Sequence, residues 1–240
     1  MAKIISFEGK YFPKIEGYVI YPLGNDLIIR AHDGFTSKKL NSLSQYKVCK
    51  QNASEFGRIS SLCKQFRMAI KPYLPLKNNL LIVNSFTKKM RAVMVCDAIA
   101  PRGNRTLANA LTTNEGCLLL KNYAFNPVLN WFLDATFWDG SVHIQTDGIV
   151  FPDGSDCVSF RLIDMVFDFE TAAYSLREHN LCFYDCSSLA NDVVLEAADS
   201  ISAKGTSFTM LEVVFYTRLP DALVRCDDDS GNQLFVLEVK

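Results

Sequence analysis

Two Ser-x-x-Lys spacings stand out among the residues able to do chemistry, Ser61-Leu-Cys-Lys64 and Ser85-Phe-Thr-Lys88. Each sets a lysine one helical turn from a serine, where an amine can activate a hydroxyl nucleophile. The companion Ser-Asp-Asn and Lys-Thr-Gly motifs are missing, and Lys204-Gly-Thr206 runs in the wrong order, so both matches read as chance spacing on basic helices. Cys182 and Cys186 lie four apart but have no second pair or histidine cluster to complete a zinc site. His32, His143 and His179 are far apart, and none belongs to a metal-spaced set. A Cys-His pair assembled by folding stays open, because such partners need not be neighbours in sequence. Asp227-Asp-Asp-Ser-Gly-Asn232, with Glu238 twelfth, imitates a calcium loop. Its glycine is fifth, where an oxygen ligand belongs, so it reads as an acidic hairpin tip. Paired carboxylates for glycosidic cleavage depend on a separation that sequence does not set. Nucleophile-elbow and phosphate-cradle patterns do not occur. The expectation is a protein that is not an enzyme and needs no cofactor or metal.

Charge carries more information. Residues 1–110 hold 18 Lys or Arg against 6 Asp or Glu, while residues 111–240 hold 7 against 20, and the chain as a whole has a net charge of −1. Such asymmetry is satisfied within one molecule, by phosphate on the basic half, or by the opposite half of a second copy. The last contact is heterologous and closes into a ring or runs on as a filament.

The elements that position these charges follow from periodicity. Lys3–Phe7, Gly17–Tyr21 and Leu27–Arg30 read as short strands, the last two forming a hairpin around Gly24-Asn25-Asp26. Asn52 and Glu55 have capping-box spacing ahead of a stripe of Phe56, Ile59, Leu62, Cys63, Phe66, Ile70 and Tyr73, which predicts a helix stopped by Pro72 and Pro75. A second helix is expected over about 79–98 and a short third over 106–111. Lys64, Met68 and Lys71 fall off the first stripe, as Lys88, Arg91 and Val95 fall off the second. Apolar residues among cations on an outward face suggest a partner surface. Beyond residue 112, strand-like runs alternate with turns (118–120, 129–133, 142–146, 149–151 and onward), with Asp147-Gly148 as the strongest hairpin signal. The fold class is therefore α+β: an N-terminal β-hairpin plus two or three helices, followed by an antiparallel β-sandwich. Domains are expected at 1–112 (basic, α+β) and 113–240 (acidic sandwich).

No apolar run reaches membrane length, and the start meets Glu8 before any apolar region develops, so neither a membrane span nor a secretory signal is expected. The eight cysteines sit mainly among apolar neighbours, as reduced thiols of a cytoplasmic protein do.

The series Asn52-Ala-Ser-Glu-Phe-Gly57, Cys63-Lys-Gln-Phe-Arg-Met-Ala-Ile-Lys-Pro-Tyr-Leu74, Thr87-Lys-Lys-Met90 and Arg102-Gly-Asn-Arg105 resembles uncharacterised proteins of Bacteroidota genomes. Those proteins also pair a basic, helix-bearing N-terminal half with a β-rich C-terminal half. The resemblance covers about residues 50–110. It implies that organisation and a bacterial cytoplasmic origin, and it transfers no site.

Together these readings predict a structural subunit that assembles with itself head to tail. Lys64, Met68, Lys71, Lys88, Arg91, Val95, Arg102 and Arg105 would lie on the basic side, and Asp227, Asp228 and Asp229 on the acidic side. A nucleic-acid module using the basic helices ranks second, because the chain lacks a recognised base-reading motif. A β-sandwich holding a carbohydrate or other small ligand ranks third.

Overall fold

Good helix formers and an apolar residue every three or four positions carry a long helix, α1 (Lys47–Ala69), into a 3-10 turn over Lys71–Tyr73. The same periodicity makes α2 (Leu80–Val95). Two short helices follow, α3 (Leu107–Ala110) and α4 (Asn114–Leu120), capped by Thr106 and Thr113, whose hydroxyls accept from Asn109 N–H and Gly116 N–H. The computed structural model describes residues 2–4, 17–23, 26–31, 42, 44–75, 80–128, 131, 133–138, 140–197, 201–226 and 231–240.

The chain forms two compact units, 1–51 and 52–240. The first contains β1 (Ala2–Ile4), β2 (Tyr18–Leu23) and β3 (Asp26–Ala31) in an antiparallel sheet of order β1-β3-β2. The expected hairpin is present, with Leu23 opposite Asp26, and Gly24 and Asn25 lie outside the described residues.

Among its described residues the second unit contains the helices and ten strands: β4 (Tyr123–Ala124), β5 (Asp134–Trp138), β6 (Ser141–Gln145), β7 (Cys157–Phe167), β8 (Tyr174–Glu178), β9 (Cys182–Asp185), β10 (Asp192–Glu196), β11 (Thr206–Leu219), β12 (Ala222–Arg225) and β13 (Gln233–Val239). Seven form an antiparallel sheet along the path β4-β13-β11-β7-β8, with β12 on β11 and β9 on β7. The other three form a small sheet of order β10-β6-β5.

Alternation along the central strands makes three layers. Ile163, Met165, Phe167, Phe208, Met210 and Val236 turn one face of the large sheet to the helices, sharing a core with Ile59, Phe66, Phe86 and Met90. Phe66 is its hub, with ring centroids 5.1 Å from Phe86, 5.2 Å from Phe167 and 5.0 Å from Phe208. Val158, Phe160, Leu162, Leu211, Val213 and Phe215 turn the other face to Ala135, Val142, Ile144, Val193 and Leu195 of the small sheet. The helices, the large sheet and the small sheet are thus stacked in that order.

The α+β class with an N-terminal hairpin, helices and antiparallel sheets is what the structure has. Several local expectations differ. Residues 118–120 end α4 instead of forming a strand, because Thr113 caps a helix there. Residues 149–151 are not a strand; β6 pairs with β5 and β10. Helix α1 starts at Lys47, so Asn52 and Glu55 are not its cap, and Phe56 at the head of the expected stripe is exposed. Strand β11 is buried on both faces, which explains its nearly continuous apolar run. The helical core is shared by residues on both sides of Thr112, where the domain boundary was expected.

Candidate functional site

Two outward faces of residues 52–240 carry the residues of interest. On α1, burial of Ile59, Cys63, Phe66 and Ile70 against the sheet turns the opposite stripe to solvent. That stripe holds Lys64 and Met68 and continues into Lys71, all exposed, with Met68 at 55%. On α2, burial of Ile82, Phe86, Met90 and Val93 leaves Leu81, Lys88, Arg91 and Val95 outward, with Leu81 at 51% and Val95 at 59%. The structure therefore turns six of the sequence-derived interface residues outward from the helical layer, with Met68 near Lys64 and Lys71 on the first helix and Val95 one turn from Arg91 on the second.

Arg102 and Arg105 have other partners. Arg102 is exposed and donates to the Asn52 side-chain oxygen from Nε (3.1 Å) and Nη2 (2.8 Å). Arg105 donates to both oxygens of buried Glu55, at 2.9 Å each, and Gly103 N–H donates to the same carboxylate. Asp97 accepts from the N–H groups of Ile99, Ala100 and Thr106 and from the Asn109 amide. The Arg105 guanidinium holds the Glu55 carboxyl below its ordinary range. Burial pushes Asp97 upward, but its four hydrogen bonds outweigh that and lower it. The residues that resembled a capping box thus anchor the loop between α2 and α3. Asp227, Asp228 and Asp229 lie outside the described residues.

The opposite side of the unit is the outer face of the small sheet. Ala135, Val142, Ile144, Val193 and Leu195 point inward, so alternation turns Asp134, Thr136 and Trp138 of β5, Ser141, His143 and Gln145 of β6, and Asp192, Val194 and Glu196 of β10 outward. Asp134, Gln145 and Asp192 share one cross-strand row, and Trp138, Ser141 and Glu196 share another. Trp138 is 74% exposed and Val194 48%. His143 Nδ1 lies 3.7 Å from Asp192. The face is acidic around an exposed aromatic ring. Sequence reading missed it, although the alternation in Asp134-Ala-Thr-Phe-Trp138 and Asp192-Val-Val-Leu-Glu196 is the signal that finds it.

Among the described residues, no ion pair joins a cation of 52–110 to an acid of 111–240. The helical layer meets the sheet mainly through apolar side chains; Lys64, Lys71, Lys88 and Arg91 face outward, whereas Arg67 is partly buried with its Nη1 unpartnered among the described residues and Arg105 is held by Glu55.

The other motifs resolve as follows. Ser85 accepts a hydrogen bond from the Tyr123 hydroxyl (3.1 Å) while Lys88 is exposed. The eight cysteines form no disulfide, and burial pushes the Cys63 thiol up to about 12. No group of three or more metal-ligating side chains occurs among the described residues. Folding pairs His179 with Asp164, a partner the sequence reading did not find; the charged residues interrupting the apolar strand 157–167, Arg161 and Asp164, were the available signal. No helix among the described residues is long and apolar enough to cross a membrane. No family model, curated relative or solved structure matches the chain. The resemblance over residues 50–110 rests on its quoted motifs alone.

Proposed function

We propose that the protein is a non-enzymatic structural subunit that stacks on copies of itself, the basic helical face of one copy on the acidic outer sheet face of the next. One observation supports this reading above all. The two faces lie on opposite sides of a three-layer body, and each sets exposed apolar residues among charges of one sign, positive with Met68, Leu81 and Val95, negative with Trp138 and Val194. Faces on opposite sides favour a repeating filament over a closed pair. The eight unpaired thiols suit a reducing cytoplasm.

Magnitudes set the strength. Exposed ion pairs contribute about 0–1 kcal/mol each, so charge fixes orientation and encounter rate. Affinity comes from burying Trp138 and the apolar residues of the helices. Three strands of five residues span roughly 15 Å by 17 Å, a patch well below the ~800 Å² per partner of a stable interface. Each contact is therefore weak, and assembly is a property of concentrated protein at low salt.

Static light scattering of the intact chain against salt tests this. The expected result is a mean mass that rises with concentration at low salt and collapses toward the monomer as salt is added. A particle that stays monomeric in concentrated, low-salt solution contradicts the reading. Nucleic acid, the second reading, would use the helical face alone. Retention on immobilised DNA or RNA that survives reversal of Asp134, Asp192 and Glu196 would favour it.

A further inference from the structure

We propose that a second site, a cleft where the two sheets part along β10, binds a neutral, hydroxyl-rich small molecule of sugar size. The cleft has a volume of about 530 Å³, within the range of small-ligand sites. Leu162, His179, Asn180 and Cys182 line its large-sheet side, and β10 lines the other.

Strand β10 is an edge of the small sheet, and its hydrogen-bond alternation can be read from its ends. Ala197 N–H donates to Gly140 O (2.8 Å), and Thr146 N–H donates to Asn191 O (3.0 Å). With Leu195 opposite Val142 and Val193 opposite Ile144, the residues bonded toward β6 are 191, 193, 195 and 197. The N–H and C=O groups of Val194 and Glu196 therefore point away from β6, along the cleft these residues line.

Across the cleft stands an oriented imidazole. His179 N–H donates to Leu162 O (3.0 Å), and ring Nε2 lies 2.7 Å from Asp164 Oδ2. Asp164 is itself held by the Thr209 hydroxyl (3.1 Å) and by Arg177 (2.8 Å). A carboxylate at Nε2 selects the tautomer with its proton there, which makes Nδ1 an acceptor. Nδ1 has no hydrogen-bond partner among the described residues, although the His179 side chain is only 12% exposed. The Cys182 thiol is directed to Asn180 O (3.9 Å) and not to the ring.

This set of groups selects its ligand. Nδ1 and the freed C=O groups of β10 accept, the freed N–H groups of β10 donate, and the Asn180 amide does both. Hydroxyls satisfy both kinds of partner, while an ammonium group can only donate. Asp164 and Glu196 oppose an anion. Leu162 and Leu195 offer an apolar floor for C–H faces. The cleft shares strand β10 with the stacking face, but its readout in monomeric protein does not depend on self-association, so either proposal can fail without the other.

The test is titration of the full chain, 15N-labelled at histidine, in salt sufficient to keep it monomeric. The probes are glucose, galactose, mannose, xylose and maltose, with sodium acetate and ethylammonium chloride as controls. The expected result is a saturable shift of the His179 imidazole resonances by at least one sugar in the millimolar range and, by titration calorimetry, an affinity at least tenfold weaker in His179→Gln. If that variant misfolds, Asn180→Ala, at an exposed position, serves instead with the same expected loss. No response to any of the five sugars, an equal response to acetate or ethylammonium, or undiminished binding in the folded variant would overturn the proposal.

Discussion

Arg161 shows how the large sheet tolerates charge in its interior. Its Nε and Nη2 donate to Glu212 Oε2 at 2.9 and 2.6 Å, its Nη1 pairs with Glu178, and its guanidinium lies 5.1 Å from the centroid of the Tyr73 ring. Glu212 is only 3% exposed. Removing one member of such a pair strands a buried charge, whereas replacing both with apolar residues removes the problem. Arg161→Leu should cost about 3–5 kcal/mol in chemical denaturation, and the double variant with Glu212→Leu should recover most of that loss. Loop 97–106 gives a pH prediction by the same reasoning. The carboxyls of Glu55 and Asp97 both sit below their ordinary values in the folded chain. Their contribution to stability is therefore complete above the unfolded-state carboxylate range and is lost as pH falls through the lower folded values. The part of the unfolding free energy that these two carboxyls contribute should be flat above about pH 5 and decline in more acidic solution. Glu55→Gln with Asp97→Asn should flatten that decline while lowering the plateau. A decline unchanged in the double variant would refute this assignment.

At the scale of elements, what was legible depended on whether one local signal had one physical use. The helical stripe from Ile59 to Tyr73 was readable because burial of one helix face alone sets its period. Asn52 and Glu55 were misread because cap spacing is two residues wide. The same side chains serve a distant loop, fifty residues away for the Glu55–Arg105 pair, and only the tertiary structure reveals the partner. Residues 118–120 looked like a strand because Leu-Leu-Leu has no period, and the capping Thr113 stands five residues before them. The candidate faces divided in the same way. The cationic stripe was legible on its helices, but the acidic face is spread over β5, β6 and β10, and no local pattern shows that three strands share a surface. Close backbone approaches give a sharp test of element positions. A Cβ on Gly116, near the start of α4, would meet the Ala110 carbonyl oxygen at 2.2 Å. Gly116→Ala should therefore destabilise the unit by about 1–3 kcal/mol despite a gain in helix propensity. Phe66→Ala at the aromatic hub should cost about 4 kcal/mol.

At the scale of the molecule, the near-zero net charge conceals a polarised body. The helical layer adheres to the large sheet through an apolar core, so intramolecular packing leaves its outward cations unmatched. Water and salt satisfy them in dilute solution, and in the proposed stack a second copy would do so as concentration rises. Sedimentation velocity on charge-reversed variants tests this most directly. One variant reverses the helical face (Lys64→Glu, Lys71→Glu, Lys88→Glu, Arg91→Glu) and the other the sheet face (Asp134→Lys, Asp192→Lys, Glu196→Lys). Each alone should sediment as a monomer under conditions in which the unaltered chain polymerises, and an equimolar mixture should polymerise again because the two now alternate. Variants that polymerise alone, or a mixture that stays monomeric, would contradict a charge-directed stack.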